Sequence, residues 1–281
     1  MDDSSDTLRR NAVQVRIVSV DGNGAVERPD RVAAEEPMEI RVGGPRQPLT
    51  QVAVTMRTPG GDFELAAGFL FTEGLVSPED VARVAYCDDL DDQEQRYNVV
   101  SVRLTRGFDP SALGGRNFFA TSSCGVCGKA SLDDVEVRCA PVASGPVVTA
   151  DVIRGLPEAL RERQRVFDQT GGLHAAGLFG EDGSPVALRE DVGRHNAVDK
   201  VIGEAVLRRE IPLSERILQV SGRASFEIVQ KAAVAGIPIL SAVSAPSSLA
   251  VEAAERLGLT LVGFARGDRF NVYAHPERIA A

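Results

Sequence analysis

From about Ala150 onward the sequence alternates short apolar runs with amphipathic ones, and that rhythm restricts the chain to few architectures. HAAGLF and PVALRE flank the turn Glu181-Asp182-Gly183 and predict a strand pair. NAVDKVIGEAVLRR sets Ala197, Val201 and Ala205 along one side of a helix. RILQVSG then predicts a strand, ASFEIVQKAAVAG a helix, IPILSAV a strand and PSSLAVEAAERLG a helix, with LTLVGFA and RFNVYA as closing strands. Pro246 falls near a first helical turn, where its missing N–H costs little. Such strand–helix–strand units with short loops predict a mainly parallel sheet covered by helices.

Upstream, from about Asn11 to Gly107, partial polar–apolar alternation in VQVRIVSV, PMEIRV, LTQVAVTMRT and YNVVSVRLTR predicts strands. One helix interrupts them: after the turn Thr58-Pro59-Gly60-Gly61-Asp62, DFELAAGFLFTEGLV carries apolar residues at helical spacing. A length of 281 residues accommodates two unequal domains. The division expected is a strand-rich α+β amino-terminal domain over 1–120, and a cysteine loop plus α/β domain over 121–281. The segment from Phe108 to Val148 joins them, and long connections of this type tend to be functional.

A net charge of −9 argues against general binding to nucleic acid or an anionic membrane, which need a basic surface. An anionic ligand therefore requires a local basic pocket. The longest uncharged stretch, Ala232 to Val251, is broken by Gly236, Pro238 and Pro246 and reads as buried α/β rather than membrane-spanning. MDDSSDTLRRNAVQV is acidic and polar, unlike a signal peptide. Four cysteines in such a chain point to reducing, cytoplasmic surroundings, where a close pair suggests chemistry or metal.

That pair is Cys124 and Cys127 in TSSCGVCGKAS. Small neighbours leave the sulfurs accessible, and Lys129 would favour the thiolate. A thiolate attacks the outer sulfur of a persulfide, so Cys124 is the candidate carrier and Cys127 its assistant. Structural zinc is an alternative, but it needs four ligands and would have to recruit Cys139 with His174 or Cys87. A thioredoxin-like dithiol is another, although RNFFATSS supplies no apolar strand before the pair. Zinc deaminase chemistry is excluded, because neither His174 nor His195 begins a His-x-Glu and Ser123 stands where a proline is required.

Three turns carry basic residues just before or after predicted elements. Ser221-Gly222-Arg223 follows a strand, Arg266, Gly267, Asp268 and Arg269 follow another, and Arg189, Arg194 and His195 precede a helix. Ligands collect at the carboxyl ends of strands in open α/β sheets, and helix starts attract phosphate. Together these turns predict a phosphate or nucleotide pocket, with His174 and His275 read as structural.

The segments TPGGDFELAAGFLFTEGLV, SSCGVCGKAS, GGLHAAGLF, REDVGRHNAVDKVIG, SGRASFEIVQKAAVAGIP and SAPSSLAVEAAERLGLTLVGFARGDRFNVY occur in this order over most of the chain. In them the sequence resembles the FdhD family, the formate dehydrogenase accessory sulfur carriers. The resemblance implies a carboxy-terminal, cytidine-deaminase-like three-layer α/β domain without deaminase chemistry. It also implies sulfur transfer from a cysteine desulfurase to the molybdenum bis(molybdopterin guanine dinucleotide) cofactor, in the service of formate dehydrogenase. By the same resemblance the persulfide falls on Cys124, cofactor binding on Phe264, Ala265, Arg266, Gly267, Asp268 and Arg269, and the protein is expected to form a homodimer.

Overall fold

Apolar residues that alternate along the strands build two large sheets, of five and six strands, and two two-stranded ones among the described residues. The computed structural model describes residues 11–22, 24–87, 97–113, 118–120 and 140–280. β1 (Ala12–Asp21) and β2 (Gly24–Ala33) form an antiparallel ribbon. β3 (Glu36–Gly43) pairs with β4 (Thr50–Arg57), and α1 (Asp62–Thr72) follows. β5 (Val81–Tyr86), β6 (Val99–Leu104) and β7 (Phe118–Ala120) complete a five-stranded sheet in the order β5-β6-β3-β4-β7.

The second half opens with β8 (Val148–Thr149), α2 (Ala150–Arg161) and α3 (Arg165–Thr170). The elements that follow are β9 (His174–Phe179), β10 (Pro185–Asp191), α4 (Arg194–Arg208), β11 (Ile217–Val220) and α5 (Phe226–Val234). After these come β12 (Ile239–Ala242), α6 (Ser248–Leu257), β13 (Thr260–Arg266), β14 (Arg269–Ala274) and β15 (Ile279–Ala280), the last pairing with β8. Six of these strands form one sheet in the order β10-β9-β11-β12-β13-β14. The expectation of a mainly parallel sheet needs correction. Only β11–β12 and β12–β13 are parallel, while β10–β9, β9–β11 and β13–β14 are antiparallel. Tight turns at Glu181–Gly183 and Gly267–Asp268 reverse the chain at once, leaving no length for a crossover. The protein is a mixed α/β fold.

Period-two alternation divides the six-stranded sheet between two cores. Ala175, Phe179, Ile217, Ile239 and Val262 face Ile153, Leu156 and Leu160 of α2. Ala176, Leu178, Leu218, Leu240 and Leu261 face the opposite way, into a core that takes in α4, α5 and α6. That core continues through Leu65, Ala66 and Leu70 of α1 to Met38, Ile40, Val100 and Val102 of the five-stranded sheet. α1 is buried over nearly its whole surface, as a helix apolar on all sides must be.

Two glycines permit the crossing of α1 and α4. A Cβ on Gly68 would lie 1.9 Å from the Asp199 carbonyl oxygen, and one on Gly203 would lie 1.8 Å from that of Glu64. Beside this crossing Lys231 is buried against Asp199 (2.8 and 2.9 Å) and Thr72 (2.9 Å), a polar lock joining α1, α4 and α5.

Candidate functional site

The strand ends of the six-stranded sheet converge on one edge, tied by a short ladder of loop hydrogen bonds. Val243 N donates to Val220 O (3.2 Å), Ser244 N to Gly222 O (3.3 Å) and Phe264 N to Ser244 O (3.2 Å). Ser221 N reaches Ala175 O (3.0 Å), and Ala175 N returns to Ser221 Oγ (2.9 Å). The loops after β11, β12 and β13 therefore lie side by side, next to the start of β9. A cleft of about 720 Å³ opens there, lined among others by His174, Ser221, Arg266 and Gly267, with Arg154 and Arg161 contributed by α2.

The segment Phe264–Arg269 forms one margin of this cleft. Phe264 takes a positive φ of 54°, uncommon for a bulky residue, and the loop ladder holds it there. Its ring lies under the Arg266 guanidinium, 5.7 Å from carbon to centroid. Ala265 is fully buried on the α2 side of the sheet. Gly267 and Asp268 make a two-residue turn between the paired Arg266 and Arg269, and Gly267 supplies the φ of 55°. Asp268 offers its carbonyl to Arg154 Nε at 3.1 Å. Of the six residues, Arg266 and Gly267 line the cleft; Asp268 and Arg269 are exposed beyond it.

The turn before α4 is clamped from within. Asp191, fully buried, meets Lys200 Nζ at 2.7 Å and accepts from the backbone N–H groups of Thr58 (3.1 Å) and Gly193 (2.8 Å) and from Asn196 Nδ2 (3.1 Å). The segments REDVGRHNAVDK and TPGG are thus partly structural, because they fasten the start of α4 to the end of β4. Arg189 belongs to the same framework. It pairs with Glu64 (3.2 Å) and Glu204 (2.9 Å), which removes it from the expected anion pocket.

Arg194 and His195 project from that clamped turn. His195 Nε2 lies 3.3 Å from Ser225 Oγ and 3.7 Å from Glu227 Oε2, and this contact holds the Glu227 carboxyl down at about 2. His174 was expected to be structural. It instead lines the cleft, half-buried, its proton affinity lowered first by burial and then by Arg194, His195 and Arg223, with Asp191 opposing. His275 fits the structural reading, held between Glu277 (3.0 Å) and the Glu255 carbonyl (3.0 Å).

Cys124 and Cys127 lie outside the described residues, as does Cys139; Cys87 is a buried free thiol. The sequence reading missed Arg154 and Arg161, because no helix was assigned over 150–161. Thr149 as a cap on Val152 N, with Ile153, Leu156 and Leu160 at helical spacing, was the available signal.

A family model described as the FdhD/NarQ family matches residues 33–280. The chain belongs to this family. A relative from Streptomyces coelicolor, named sulfur carrier protein FdhD, is 53% identical, with 98% of this chain and 96% of that one covered. One of the same name from Mycobacterium tuberculosis is 53% identical over 94% of this chain and 97% of its own. A crystal structure described as that of a candidate formate dehydrogenase accessory protein from Desulfotalea psychrophila superposes with a TM-score of 0.74 at 27% identity. It covers 96% of this chain and 100% of that one. Among the described residues no helix is long and apolar enough to cross a membrane.

Proposed function

We propose that this FdhD/NarQ member is a cytoplasmic sulfur carrier for formate dehydrogenase. It moves persulfide sulfur from a cysteine desulfurase to the molybdenum bis(molybdopterin guanine dinucleotide) cofactor, acting as a homodimer with a deaminase-like carboxy-terminal domain. The observation that carries this reading is near-full-length identity above half to proteins named sulfur carriers, together with the CGVC pair at 124–127. The arginine-lined cleft supports the other half of the task, since an acidic protein needs a local basic pocket to hold an anionic nucleotide.

In the proposed reaction the Cys124 thiolate attacks the outer sulfur of the donor persulfide, and the donor leaves as a thiolate. The Cys127 thiolate then attacks Sγ of Cys124, releasing the outer sulfur as hydrosulfide for the metal and leaving a Cys124–Cys127 disulfide. A cellular thiol reductant restores the pair. Phe264 to Arg269 hold one guanine dinucleotide arm. Arg266 serves as the phosphate fork, and Asp268 as an acceptor for the guanine edge.

Cys124→Ala should abolish formate dehydrogenase activation while leaving guanine nucleotide binding unchanged. Arg266→Ala should weaken that binding, read by titration with GDP. Retained activation in Cys124→Ala refutes the carrier assignment.

A further inference from the structure

The edge of the sheet next to the 264–269 turn holds a second group of cations that the framework does not use. Arg194, half-buried at the start of α4, has its Nε buried without a partner, and its guanidinium meets no carboxylate among the described residues. Arg223, exposed on the turn after β11, is likewise unpaired among the described residues. Two carboxylates on the flanking elements are already engaged: Asp191 by Lys200 at 2.7 Å, Glu227 by His195 at 3.7 Å. Gly222 keeps the space between these groups open. A Cβ there would lie 3.4 Å from His174 Nδ1 and 4.0 Å from Arg194 Cδ. Neither α4, which starts after Gly193, nor α5, which starts after Ser225, carries a side-chain cap at its first turn. Buried polar atoms are ordinarily hydrogen-bonded, so an unpartnered arginine Nε beside an open glycine marks a place suited to an anion.

We propose that His174, Arg194, Gly222 and Arg223 form a phosphoryl-oxyanion site, distinct from the 264–269 turn and sized for a diphosphate. Arg194 and Arg223 fork onto the oxygens, His174 adds a donor, and the bare Gly222 lets the anion approach the backbone. His174 and Ser221 also line the cleft bordered by Arg266 and Gly267, which places the diphosphate at its end. The assignment rests on the proposed carrier function, since a guanine dinucleotide arm contains such a diphosphate.

The groups facing His174 are Arg194 and His195 from α4, Arg223 from the turn before α5, and Asp191 from the end of β10. An anion seated among them offsets the cations and should raise the proton affinity of His174. With only three histidines in the chain, its ring can be followed by NMR in the full-length protein.

The test is titration of wild-type protein with inorganic pyrophosphate, by calorimetry and by the His174 ring signal. Wild type should bind, with the His174 midpoint moving to higher pH. Arg194→Ala should weaken binding about tenfold or more, the worth of one charge-assisted hydrogen bond, and Gly222→Ala should weaken it too, because the added methyl group stands where the anion approaches the backbone. Arg208→Ala, at the far end of α4 and paired with Glu204, should bind as wild type does. Gly222 has an ordinary φ and the added Cβ meets only van der Waals contacts, so that variant keeps the fold. A parallel titration with GDP separates the sources. GDP tighter than pyrophosphate marks a nucleotide arm and equal affinity a free inorganic anion, and either upholds the site. Absence of pyrophosphate binding, or binding unchanged in both variants with His174 unmoved, overturns it. Loss of sulfur loading with pyrophosphate binding intact would instead strike only the carrier function.

Discussion

The close crossing of α1 and α4 makes a prediction that runs against helix propensity. Replacing glycine by alanine inside a helix ordinarily stabilises by about 0.5–1 kcal/mol. Gly155, in α2, has nothing within 4 Å of the added Cβ, so Gly155→Ala should show that gain. At Gly203 the same methyl group would stand 1.8 Å from the Glu64 carbonyl oxygen and 2.8 Å from Gly68 N. Real Cβ atoms approach no closer than 3.0 Å, so two helix backbones would have to part by about 1.2 Å. Backbone cannot swing aside as a flexible side chain does. Overpacking costs about 1–3 kcal/mol in ordinary cores, and a gap of that width also forfeits up to about half of the dispersion attraction along the seam. Gly203→Ala should therefore lose about 3 kcal/mol or more, in the opposite direction from Gly155→Ala. Urea unfolding followed by far-ultraviolet circular dichroism reads both, with the midpoint moving and the slope constant. Because α4 carries Arg194 and His195, the same variant should also bind pyrophosphate less tightly. If Gly203→Ala matched Gly155→Ala in stability, the helices would not touch as described.

Two further outcomes follow from buried charge. Lys231→Met leaves Asp199 uncompensated between α1, α4 and α5 and should cost about 3–5 kcal/mol in urea unfolding; a loss under 1 kcal/mol would show that Asp199 is not held as an ion there. Glu227, whose carboxyl is held at about 2 against an ordinary 4.5, contributes stability that is present above pH 4.5 and lost as pH falls through 2. Glu227→Gln should thus be less stable than wild type at neutral pH and should fade more gently between pH 4.5 and 2 in thermal unfolding; parallel curves would contradict the His195 contact.

Much of the carboxy-terminal half is legible in the sequence because its elements are bounded by turn chemistry and filled with apolar residues at the right period. IPILSAV and PSSLAVEAAERLG become β12 and α6 nearly as read. The two-residue turn at Gly267–Asp268 was harder, because periodicity reports a strand without its direction. β2 went unread since Pro29 and four charged residues hide its alternation; it stands as a solvated partner of β1. α2 went unread because Pro157 interrupts it, yet Ile153, Leu156 and Leu160 bury one stripe against the sheet. In the site, Arg266 and Gly267 were identifiable from their place after a buried strand. Arg189 and Arg194 could not be separated by sequence, because both are arginines flanking one turn. Only the pairing of Arg189 with Glu64 and Glu204, across 125 positions in the first case, tells the structural residue from the free one. His174 was misread for a related reason: a histidine at a strand start looks the same whether it faces a core or a cleft.

The central claim is that Cys124 carries sulfur, and a mass measurement tests it most directly. The purified chain is incubated with a cysteine desulfurase and cysteine, then digested without reductant. The peptide bearing Cys124 should gain the mass of one sulfur atom, lose it on treatment with dithiothreitol, and show no gain in Cys124→Ala. An unmodified Cys124 peptide, or a protein that holds zinc stoichiometrically and refuses sulfur, would contradict the account.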